Sequence, residues 1–154
     1  MTSKLLEVLS LNQLSHAMKL FFWVNAAFVY DLLILAALSM VLSALYTLIG
    51  GEAFHEKPLL LLLFQLNWLA MISAYYLISW RRAGQTIGMR AWRIKVVSLS
   101  NASLSWPECW KRLAAAMVNL LTLNLGWLGY FHPAQKSLTD YLSHTRIERL
   151  PKNS

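Results

Sequence analysis

An all-α membrane protein is what this sequence predicts: two transmembrane helices, a third broken or re-entrant apolar helix and a small cytoplasmic β-hairpin. Three observations carry that reading. Charged residues make up 14% of the 154 positions and hydrophobic ones 57%, whereas soluble domains carry about 25% charged residues. Two apolar runs, over 22–49 and 58–80, each reach the length of about 20 residues that a helix needs to cross a bilayer. The lysines and arginines gather beside these runs instead of forming a soluble basic face.

The chain divides into an amino-terminal segment, 1–21, and a membrane domain, 22–152. In the first, Leu5, Leu6, Leu9, Leu14 and Met18 alternate at roughly helical spacing with Lys4, Glu7, Asn12, Gln13 and Lys19. That mixture predicts an amphipathic helix lying on the membrane. Lys4 ahead of two leucines imitates the start of a signal peptide, but no small-residue cleavage site follows a compact apolar core, so the segment is read as retained. The first span, 22–49, exceeds one straight crossing, and tilt or an interfacial first turn is expected. Gly50-Gly51 ends it. Pro58 opens the second span at a helix position where a missing N–H costs nothing, and 58–80 contains no formal charge.

Orientation follows from the flanks. The connection between the spans has Lys57 against Glu52 and Glu56, while Arg81, Arg82, Arg90, Arg93 and Lys95 follow Trp80 with no acid among them. The positive-inside rule then places 81–112 in the cytoplasm, and with it the amino terminus. Arg93 to Ser100 alternates and is β-branched, and Ser103-Leu104-Ser105-Trp106 alternates again after Asn101-Ala102, which predicts a hairpin. Thr145-Arg146-Ile147-Glu148-Arg149 can add a strand beside it. The third apolar stretch, 113–131, is interrupted by Asn119, Thr122, Asn124, Gly126 and Gly129. A full crossing would export the basic tail that carries Lys136, Arg146, Arg149 and Lys152. A helix that dips in and returns keeps the tail cytoplasmic and is the preferred reading.

Several functions are disfavoured. The net charge of +7 suits anionic headgroups better than nucleic acid, given where the bases stand. The single cysteine, Cys109, allows no internal disulfide and no cysteine metal cluster. None of His16, His55, His132 and His144 lies inside an apolar span, so a helix-ligated haem is not expected. No Ser-His-Asp or paired-carboxylate arrangement is legible, and the expectation is a non-enzyme without cofactor or metal. The tryptophans near the spans, Trp68, Trp80, Trp106, Trp110 and Trp127, read as interfacial belts. Internal repeats, which a carrier with inverted halves requires, are absent.

The residue that asks for an explanation is Asp31, in the first apolar run. An ionised aspartate at the centre of a membrane helix costs roughly 2.5–3.5 kcal/mol. It therefore serves either as a structural carboxylate bonded to neighbouring groups or as an ion or proton site. Gln65 and Asn67 on the second span are candidate polar partners, two residues apart and so on different faces, and Arg112 stands at the cytoplasmic boundary. After the second span, Gly84-Gln85-Thr86-Ile87-Gly88-Met89-Arg90 lacks the Lys-Ser/Thr ending of a phosphate loop. A tight turn is the simpler reading, with headgroup contact by Arg90 and Arg93 as the alternative.

Three pieces resemble the RDD family of small integral membrane proteins, and the resemblance covers about 22–152. Ala26-Ala27-Phe28-Val29-Tyr30-Asp31 resembles the first-helix motif ending in the family's first aspartate. The run from Gly84 through Arg90 and on to Val97 resembles the loop after the second helix, the most specific of the three. Leu138-Thr139-Asp140-Tyr141-Leu142-Ser143-His144-Thr145-Arg146 resembles the closing motif with the second aspartate, and Trp110-Lys111-Arg112 the basic start of the third helix. The chain departs from the pattern where a family arginine precedes the first aspartate by seven or eight residues: here Val24 and Trp23 stand there. Thr139 replaces a histidine, and His144 a glycine. The resemblance implies membrane proteins proposed as cation/proton exchangers or as accessory subunits of membrane complexes, with no catalytic activity or cofactor.

Two functions follow as expectations. One is an accessory or scaffold subunit that packs against other membrane proteins of the inner membrane. The other is transport by an oligomer in which Asp31 binds a cation or proton and Asp140 or Arg112 gates access from the cytoplasm. The partners expected in either case are anionic lipid headgroups and further copies or a larger membrane complex.

Overall fold

A computed structural model describes residues 2–51, 56–100, 103–122, 125–132 and 136–151, with the side chains of residues 2–10 and 12 left aside. Helix α1 (Thr2–Gly50) runs without a break through both the amphipathic segment and the first apolar run. α2 (Pro58–Ala83) begins on its proline and ends in a left-handed Gly84, whose N–H donates to the Trp80 carbonyl. Both are long and apolar enough to cross a membrane, over Gln13–Gly50 and Pro58–Ala83, and only 6% of each apolar window is buried inside the chain. Their remaining surface is dressed for lipid or for another protein, and two apolar helices of this kind point to a membrane protein.

α1 buries one stripe: Ala17, Leu20, Val24, Ala27, Asp31 and Leu35. The spacing alternates between three and four residues, the signature of a single helix face. Against that face pack the short α3 (Ile87–Ala91) and a 3-10 segment (Leu125–Phe131), and a two-stranded sheet shares the same apolar core through Ile94 and Val96. Aromatic contacts lock the docking: Phe22 meets Trp92 edge-on at 5.7 Å and Phe28 meets Trp127 at 5.5 Å. Trp80 and Trp127 are thus core residues and not a belt, while Trp68, Trp106 and Trp110 are exposed.

The sheet differs from the expected hairpin. β1 (Ile94–Ser98) pairs antiparallel with β2 (Thr145–Arg149), with Val96 opposite Ile147, so the tail supplies the partner. Ser103-Leu104-Ser105-Trp106 forms no strand, because Ser105 starts a helix instead. Its hydroxyl accepts from the Glu108 N–H and the Glu108 carboxylate accepts from the Ser105 N–H, a capping box with proline in the first turn. Hydrogen bonds from Ser98, Ser105 and Ser100 outweigh burial and hold the Glu108 carboxyl below the usual range. The positions between, 101–102, lie outside the described residues.

That capping box places α4 at Trp106–Leu121, earlier than the apolar stretch alone suggested. α4 and the 3-10 segment meet at 105° across a break of a few residues. The Thr122 hydroxyl donates back to the carbonyls of Val118 and Asn119 at the end of α4, a local bond that competes with continuing the helix. The apolar stretch is broken, as its polar and glycine interruptions predict. α5 (Leu138–Ser143) then carries its own capping box from Ser137 and ends on His144, which adopts φ 52 and ψ 40. That left-handed conformation is the one glycine usually supplies at helix ends.

Candidate functional site

Asp31 is 3% exposed, and among the described residues its side-chain bonds come from α2, from the turn after it and from the start of α3. The Tyr75 hydroxyl donates to Oδ1 at 2.6 Å, the Thr86 hydroxyl to Oδ2 at 2.6 Å and the Gly88 N–H to Oδ1 at 2.9 Å. Thr86 in turn accepts from the Met89 N–H at 3.1 Å as the cap of α3, and Tyr75 accepts from the Ile87 N–H at 3.3 Å. Each hydroxyl accepts from backbone and passes its own hydrogen to the carboxylate, so three donors converge on a group asked only to accept.

The Gly84–Arg90 motif is the clamp that makes this geometry. Gly84 sits at φ 68, and a Cβ there would come within 2.8 Å of the Val96 carbonyl oxygen. Its own carbonyl accepts from the Val96 N–H at 2.8 Å, and the Gln85 side chain donates to the Ile94 carbonyl at 2.8 Å. Gly88 presses on α1: a Cβ would stand 2.8 Å from Asp31 Oδ1 and collide with the Ala27 carbonyl. Arg90 is exposed. The motif is therefore a helix-end turn tied to β1 on one side and to Asp31 on the other.

Of the polar residues singled out in the sequence, Gln65 and Asn67 are exposed on α2, more than two helical turns before Tyr75. Asn67 donates to the Tyr46 hydroxyl instead. Asp31 also lies off-centre in the helix pair. It is level with Tyr75, eight residues before the end of α2 at Ala83, or about 12 Å of helical rise. Its burden at depth is correspondingly smaller than a mid-span position implies.

Arg112 and Asp140 form a second buried cluster. Arg112 is 5% exposed and Asp140 1%. Arg112 Nη1 donates to Asp140 Oδ1 at 2.7 Å and to Thr145 Oγ1 at 2.6 Å, and its guanidinium stands 5.4 Å from the centroid of the Trp80 ring. Tyr130 donates to Asp140 Oδ2 at 3.1 Å. This pair joins α4, α5, β2 and the 3-10 segment. Sequence reasoning named Asp31, Arg112 and Asp140 but missed Tyr75, Tyr130 and Thr145. Hydroxyl residues in apolar or mixed runs carry no signal of their own until the fold sets a carboxylate beside them.

Between the clusters lies a cavity of about 460 Å³ at the splay of α1, α2 and α4. Leu32, Leu35, Leu69, Ile72 and Met117 line it together with Asp31, Thr86, Trp80, Arg112 and Tyr130. Volumes of about 300–1,000 Å³ are typical of small-molecule sites. Two side chains on this wall keep a buried donor with no hydrogen-bond partner among the described residues: Trp80 Nε1 and Arg112 Nε. A buried unsatisfied donor costs about 1–3 kcal/mol.

Comparison with known proteins gives one match: the family model described as RDD family aligns with residues 25–144, most of the chain. No curated protein and no solved structure matches. The matched stretch contains Asp31, the clamp loop, Arg112 and Asp140.

Proposed function

This chain belongs to the RDD family, and on that premise we propose that it is an integral protein of the inner membrane that acts as an accessory or scaffold subunit, packing against other membrane proteins without catalysing a reaction. α1 and α2 cross the bilayer in this reading. The clamp loop, the sheet, α5 and both termini lie on the cytoplasmic side, where Arg81, Arg82 and Arg90 meet anionic headgroups.

The observation that carries the proposal is the engagement of both Asp31 oxygens. Its two oxygens take three donors from the same chain, and the bonds fasten the clamp loop to α1. A carboxylate so engaged is a structural fastener. The apolar surface that α1 and α2 leave uncovered is what a scaffold offers to partners.

Transport by an oligomer is the second reading, favoured by one observation: the cavity reaches Asp31. Flux in liposomes separates the two. Wild type and Asp31→Asn are expected to show equally absent coupled cation and proton flux, with Asp31→Asn reducing protein abundance. Coupled flux in wild type that Asp31→Asn abolishes at unchanged abundance would overturn the scaffold reading.

A further inference from the structure

We infer that the cavity between α1, α2 and α4 binds an uncharged, chain-bearing molecule through a carbonyl oxygen, the chemistry shared by the acyl ester of a glycerolipid and by a lipid-soluble quinone. The wall supplies the recognition. Trp80 and Arg112 are 6% and 5% exposed, both line the cavity, and each retains an N–H without a partner among the described residues. The guanidinium lies 5.4 Å from the indole ring centroid, so the two side chains are neighbours on the wall. A carbonyl oxygen, with two lone pairs and no hydrogen of its own, is the neutral group that either donor can take.

Charge selects against an anion. Asp140 already neutralises Arg112 at 2.7 Å, and the Asp31 carboxylate borders the same space. A phosphate or free carboxylate entering here would meet no net positive charge and one negative neighbour, whereas a neutral acceptor meets two waiting donors. Leu35, Ala36, Leu69, Ile72, Met117 and Leu120 give the wall an apolar stretch that suits a hydrocarbon tail.

The direction of the cavity fits entry from a leaflet. Trp80 stands three residues before the end of α2, next to Arg81 and Arg82. Leu69 and Ile72 lie further along the same helix, toward the middle of the span. An ester or quinone carbonyl held at Trp80 would sit near the headgroup boundary with its chain pointing inward, the arrangement amphiphiles take in a bilayer.

Native mass spectrometry of the full chain in mild detergent tests this with three probes: a decyl-tailed benzoquinone, dioleoylglycerol and its diether analogue, which lacks the ester carbonyls. Saturable one-to-one retention of the quinone or the diester is expected, with the diether held more weakly. Trp80→Phe keeps an aromatic side chain and removes the indole N–H, and it should weaken the carbonyl probe about tenfold relative to the diether. Ala116→Phe, filling the cavity, should remove retention in protein whose helical content matches wild type. Retention of only one carbonyl probe assigns the source. Retention that rises without saturating, or that survives Trp80→Phe and Ala116→Phe undiminished, would overturn the assignment.

Discussion

From Ala17 to Leu35, α1 buries a continuous stripe against the clamp loop and the 3-10 segment. From 36 to 50 the same helix buries only Gly50, and α2 buries nothing over 58–70. The bare half is joined by scattered contacts: Trp68 Nε1 donating to Ser39 Oγ at 2.8 Å, Asn67 donating to Tyr46, and Tyr46 packed on Phe64 at 5.3 Å. Buried polar bonds hold one half, while the other keeps exposed apolar surface crossed by two exposed polar bonds. A helix pair in lipid gains little from apolar contact alone, because the surrounding hydrocarbon is equally apolar. Register is therefore set by polar bonds, the buried ones at Asp31 and Arg112 above all, and the apolar surface of the bare end is left for lipid or a partner.

The largest break of that comparison is expected at Arg112. Arg112→Ala leaves Asp140 buried without its ion pair, a loss of about 3–5 kcal/mol. Thermal unfolding in detergent should show it together with lower membrane abundance. The double variant Arg112→Met with Asp140→Leu replaces the pair by apolar groups and should recover most of the loss. If the single variant melts as wild type does, the second cluster is not what holds α4 to the tail.

Next in size is Gly88→Ala. Its methyl group would occupy space held by the Ala27 carbonyl and Asp31 Oδ1, and over-packing of this kind costs about 1–3 kcal/mol. The clamp should lift from α1, visible as faster proteolysis around 84–91 with the two long helices intact. Protection equal to wild type would mean that the clamp is not held by close approach to Asp31.

How much of this was legible in the sequence depends on the kind of force involved. The two long helices were readable because apolar length and a capping proline are local features, and the broken third helix because Asn119, Thr122 and the glycines interrupt it locally. The strand pairing was not. Ser105 reads equally as an alternating strand residue or as a helix cap, and only the proline and Glu108 after it decide, while the partner of β1 lies some fifty residues away. The site was half legible. An aspartate in an apolar run announces itself, but its partners did not, since Tyr75 and Thr86 reach it only through the return of α2 and the turn at Gly84. Gln65 and Asn67 looked like partners by polarity, and the helical register carried them away from Asp31.

The smallest effect is expected in the bare half, where it also bears most directly on the comparison. Leu48 is 84% exposed, so Leu48→Ala removes almost no intrachain contact and should change stability in detergent by no more than about 0.5 kcal/mol. In the native membrane the same substitution tests whether that surface is covered. If lipid alone covers it, abundance stays at the wild-type level, because alanine is also tolerated in hydrocarbon. If a protein partner covers it, abundance or complex recovery falls although the purified chain is unchanged. A loss above about 1 kcal/mol in the purified chain, twice what an exposed substitution normally costs, would show that the far half is held by its own packing, and the contrast between the two ends would fail.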